Sequence, residues 1–99
     1  MTTNTKEYVW LCFSCNMENG LVDCDVFKAL TTNIATQKVE KIIKNYRRDL
    51  IEDGMLETYE YAECVIEKIS DTVITGSLNM ESSYIQFAAY RVEDLLNNM

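Results

Sequence analysis

Apolar and polar residues follow a helical rhythm most clearly over residues 36–53, TQKVEKIIKNYRRDLIED. At about 100° per residue, Val39, Ile42, Ile43, Tyr46 and Leu50 gather on one side, and Gln37, Lys41, Lys44 and Arg48 on the other. The spacing predicts a long amphipathic helix, capped by Thr36 and ended by Gly54.

The other blocks are shorter and their period is less sharp. Residues 5–17 carry a nearly continuous apolar run from Tyr8 to Phe13. They read as a helix capped by Asn4 or Thr5 and stopped at Asn19 and Gly20, with a strand over residues 8–13 as the competing reading. Asp23 or Asp25 then caps a short helix carrying Val26, Phe27 and Leu30, which Thr31, Thr32 and Asn33 break. In residues 57–69, Ala62, Val65, Ile66 and Ile69 recur at helical spacing against Glu60, Glu63 and Glu67, although Thr58, Tyr59 and Tyr61 favour strands. Residues 72–75 form a short β-branched strand or extended connection ending at Gly76. Residues 80–98 predict a last helix that buries Ile85, Ala88, Ala89, Val92, Leu95 and Leu96. The expectation is a mainly α fold, a single domain over residues 1–99, with one short strand or hairpin.

Composition narrows the chemistry. The 99 residues include no histidine and no proline, three glycines and four cysteines, with a formal net charge of -7. Without histidine the commonest neutral-pH general base and the commonest metal ligand are both missing. No glycine loop is built to cradle phosphate. Carboxylates are plentiful, but no pair is singled out by spacing, so the expectation is a protein with no catalytic residues, no cofactor and no metal. Only Cys12 and Cys15 are closely spaced, Cys24 and Cys64 lying apart, which suits small buried thiols better than a four-thiolate zinc site. No apolar run approaches the roughly 18 residues of a membrane span, and no secretory leader is evident. A cytoplasmic protein that does not enter membranes is expected.

Five of the nine basic residues, Lys38, Lys41, Lys44, Arg47 and Arg48, lie within the long helix. With its flanks, VFKALTTNIATQKVEKIIKNYRRDLIEDGMLE, this segment resembles the helix-turn-helix core of winged-helix transcription regulators over about a third of the chain. Leu30, Ile34, Thr36, Val39, Leu50, Gly54, Met55 and Leu56 would take the pattern's structural positions. The resemblance implies a DNA-binding transcription regulator that lays its second helix in the major groove. Gln37, Lys41, Lys44, Asn45 and Arg48 would face the bases and Lys38 and Arg47 the phosphates, with Thr36, Gln37 and Lys41 mattering most for sequence choice. A homodimer would set two such helices about 34–36 Å apart on double-stranded DNA.

The strong net acidity opposes that approach at long range and supports a second expectation. Here the chain is a small acidic protein, of the kind carried by mobile elements or acting as immunity proteins, that inhibits or modulates a protein target without catalysis. Its contact residues would be Glu57, Tyr59, Glu60, Tyr61, Glu63 and Glu67, with Tyr84 a further exposed aromatic.

Overall fold

The computed structural model describes residues 7–16, 20–54, 62–81 and 84–93, and they form a five-stranded antiparallel sheet with one long helix across a single face. β1 (Tyr8–Asn16) and β2 (Val22–Ala29) make a hairpin, α1 (Thr32–Glu52) crosses the sheet, and β3 (Ala62–Lys68), β4 (Val73–Met80) and β5 (Tyr84–Arg91) form a meander. β5 closes back on β1, so the strand order is β2-β1-β5-β4-β3. Among the described residues no helix is long and apolar enough to cross a membrane.

The mainly α expectation is therefore corrected: sheet dominates, and four segments predicted as helices contain strands. The cause is a period of two set by a helix on only one side. In β1, Trp10, Cys12 and Ser14 are buried beneath α1. Leu11 and Phe13 occupy the opposite face, which makes the run look continuous. In β5, Ile85, Phe87 and Ala89 are buried while Tyr84 and Gln86 are exposed. β3 alternates Ala62, Cys64 and Ile66 with exposed Glu63, Val65 and Glu67. Gly20, expected to stop a helix, instead sits in the β1–β2 connection with a φ of 74°, its N–H bonded to the Asn16 carbonyl at 2.7 Å. Asn4, Thr5, Asn19, Leu95 and Leu96 lie outside the described residues.

α1 is the predicted helix, extended by one turn. Thr31 is its N-cap, the hydroxyl accepting from the Ile34 N–H at 3.2 Å. Thr36, predicted as the cap, lies inside the helix, and its hydroxyl donates to the Thr32 carbonyl at 2.9 Å. The extra turn places Ala35 in the core beside Val39 and Ile43. Gly54, with a φ of 74°, follows the last turn as expected. The Thr32 hydroxyl donates to the Asp71 carbonyl at 2.7 Å, tying the start of the helix to the β3–β4 turn.

A contrast between the two threonines follows. Thr31→Ala is expected to lower stability by about 1 kcal/mol in urea unfolding, whereas Thr36→Ala should change it by no more than about 0.5 kcal/mol. The reverse order would restore Thr36 as the cap.

The core between helix and sheet is built on Trp10, Val39, Ile43, Ile74, Leu78, Ile85 and Phe87. Trp10 stacks parallel to Phe27 of β2 at 6.2 Å, and Tyr46 of α1 meets Phe87 edge-on at 5.8 Å. Gly76 of β4 faces the Ile43 side chain of the helix.

Candidate protein-binding face

Because α1 covers one side of the sheet, the other side is open among the described residues, and register places its side chains in rows. Val26, Leu11, Tyr90 and Val73 align across β2, β1, β5 and β4. Beside them run Cys24, Phe13, Ala88, Thr75 and Glu67, and then Val22, Cys15, Gln86, Ser77 and Val65. Phe13 and Tyr90 touch across strands with ring centres 6.2 Å apart. The half formed by β2, β1 and the end of β5 is apolar. Val22 and Val26 are 61% and 66% exposed there, too open to contribute much to the fold of an isolated chain.

The other half is polar and concave. β3, β4 and β5 enclose a shallow depression of about 310 Å³ whose wall includes Glu67, Thr75, Ser77, Asn79, Tyr84 and Gln86. Small polar residues alternate along β4 with Ile74, Gly76 and Leu78, which face the helix.

Two of the six residues expected to touch a protein target, Glu63 and Glu67, fall on this open face and are exposed. Glu57, Tyr59, Glu60 and Tyr61 lie outside the described residues. Tyr84 is exposed and lines the depression. Thr75, Ser77, Asn79 and Gln86 were missed: Thr75 read as the end of a short strand or connection, Gln86 as part of a helix, and Ser77 and Asn79 as part of no element. The alternation T-G-S-L-N in β4 was the available signal.

The basic side of α1 lies on the opposite surface of the molecule. Gln37, Lys38, Lys41, Lys44 and Arg48 are exposed, and Thr36, Asn45 and Arg47 are half-buried. Among the described residues no helix-turn-helix is formed: the segment before α1 is β2, an edge strand, which cannot brace a recognition helix against a groove. Met55 and Leu56 lie outside the described residues. The cations are also interleaved with acids. Lys44 pairs with Glu40 at 2.8 Å, and the Glu40 carboxylate holds its ammonium above the ordinary lysine range. Arg48 lies 3.7 Å from Asp49 and 3.9 Å from Glu52. The Lys38 ammonium donates to the Lys28 carbonyl at 2.6 Å, fastening the helix to β2.

Cys12 and Cys15, three positions apart on a strand, point to opposite faces, and all four thiols are free. Among the described residues no three Cys, Asp or Glu side chains are grouped to hold a metal.

None of the protein-family models, curated proteins or solved structures compared with this chain matches it.

Proposed function

We propose that this is a protein-binding module, an acidic inhibitor or modulator that docks a target protein on the open face of its sheet without catalysis. The observation that carries the reading is the row of apolar side chains across four strands, which no described residue covers because the helix lies on the other side. Contiguous exposed apolar surface on a small protein marks an interaction site, and Tyr and Phe at its centre are the residue types that anchor interfaces.

The rival reading places duplex DNA on the basic side of α1. It has weaker support, because Glu40, Asp49 and Glu52 share that helix with its five cations and the whole chain carries -7. Affinity would rest on few uncompensated phosphate contacts and would be low.

One experiment separates the two. The wild type, a Val22→Lys/Val26→Lys variant and a Lys41→Ala/Lys44→Ala/Arg48→Ala variant are each used to capture partners from extracts of the source cells, and each is titrated with random duplex DNA. A stoichiometric protein is expected to bind the wild type and the triple variant, and to be lost from the valine variant while circular dichroism stays unchanged. DNA binding that the triple variant abolishes would overturn the proposal.

A further inference from the structure

We infer that the partner presents a lysine or arginine side chain flanked by apolar residues, and that this cation enters the polar depression between β3, β4 and β5. The inference rests on reading the open sheet face as a protein-binding surface and adds the chemistry of what binds there. Among the described residues Glu67 is the only charged one in the wall, and Thr75, Ser77, Asn79, Gln86 and Tyr84 line it with hydroxyl and amide groups. An ammonium brings three donors and a guanidinium five, with nothing to accept. One carboxylate, hydroxyl and amide groups that can each turn an oxygen toward a donor, and Val65 beside them for the apolar stem complement such a group, and the carboxylate disfavours an anion. The volume, about ten waters at roughly 30 Å³ each, admits one long side chain with some of its hydration.

Position completes the argument. Thr75 of the depression is aligned with Ala88 and Phe13 of the apolar half. A partner segment seated on Phe13 and Ala88 therefore brings a neighbouring residue over the depression. The net charge of -7 favours a basic partner at long range and opposes a second copy of this chain. Among the described residues the open face offers a copy only one cation, Lys28, paired opposite Val9 on the outer edge of β2. That position is three strands from β4, about 14 Å at the usual strand spacing.

The test is selection of random peptides, displayed on phage, against the full-length protein, with a synthetic selected peptide then titrated against variants. Enriched peptides are expected to carry Lys or Arg within about four residues of an aliphatic or aromatic residue, because four extended residues span about 13 Å and Phe13 on β1 lies three strand spacings, about 14 Å, from Glu67 on β3. Glu67→Gln should weaken their binding about tenfold, the scale of one charge-assisted hydrogen bond. Glu52→Gln, on the helix, should leave it unchanged. Peptides without a basic residue that bind Glu67→Gln as tightly as wild type, yet lose affinity for Val22→Lys/Val26→Lys, would overturn the partner chemistry and leave the face standing. Failure of any peptide to depend on Val22 and Val26 would overturn the face as well. Sedimentation showing a dimer that the valine variant dissociates would assign the face to a second copy and overturn the inference.

Discussion

Gly76→Ala is expected to destabilise the protein by about 1–3 kcal/mol, the range for overfilling a packed core, and Gly76→Val by enough to leave much of the chain unfolded at 25 °C. A Cβ on residue 76 would lie 2.8 Å from Ile43 Cδ1 and 2.9 Å from the Val65 carbonyl oxygen. The two obstacles differ in kind. Ile43 Cδ1 ends a side chain that has other rotamers. The Val65 oxygen belongs to the backbone of β3, whose register against β4 sets Ile66 opposite Gly76. Relief at that oxygen requires the edge strand to move. Ile43→Val removes one obstacle and would alone cost about 0.5–1.5 kcal/mol. Combined with Gly76→Ala it should cost less than the two separately, by about 1 kcal/mol. Urea unfolding of the four proteins measures the coupling, and amide exchange should show faster exchange concentrated in β3. Strict additivity would mean that the helix does not meet the sheet at Gly76. Because β3 also carries Glu67, the alanine variant should lose peptide affinity beyond what its unfolded fraction explains.

The helix was legible and the sheet was not, for a reason visible in particular residues. Val39, Ile42, Ile43, Tyr46 and Leu50 satisfy a period of 3.6 over several turns, long enough that no strand pattern competes. Glu63 and Glu67 are four apart, a spacing that suits one face of a helix and one face of a strand equally. The deciding alternation of Ala62, Cys64 and Ile66 with Glu63, Val65 and Glu67 was obscured because Val65 is apolar yet exposed. In β5, adjacent Ala88, Ala89 and Tyr90 blur the same period, although Ile85, Phe87 and Ala89 keep it. Apolar residues on the outer face of β1 and β2 defeat a rule that equates apolar with buried. Those same residues, Leu11, Phe13, Val22 and Val26, form the candidate binding face. The misreading and the proposed function thus share a cause: surface that the chain's own helix does not cover.

The thiol of Cys12 should make the protein lose stability in alkali. Cys12 is 1% exposed beneath α1, and burial, followed by the charges of Asp25 and Cys24, pushes its thiol up to about 12 from an ordinary value near 9. The neutral form is the one the core accepts. Below the unfolded value both states hold the proton and the contribution of Cys12 is complete. As pH rises from about 9 toward 12 the unfolded chain ionises first, and stability falls over that window. At about pH 10.5 the loss from Cys12 amounts to ~2 kcal/mol relative to about pH 8. Burial pushes Tyr46 and Cys64 in the same direction, so they add to the decline in the wild type and in any Cys12 variant alike. Cys12→Ala should therefore be less stable than wild type at about pH 8, through its lost packing, but should lose ~2 kcal/mol less on going to about pH 10.5. Urea unfolding at the two pH values isolates the difference. At neutral pH a thiol reagent should modify exposed Cys24 in the folded protein and reach Cys12 only on unfolding. Equal pH sensitivity of the two proteins, or rapid modification of Cys12 in the native state, would mean that water reaches β1 beneath the helix and that the core is packed more loosely there than its geometry indicates.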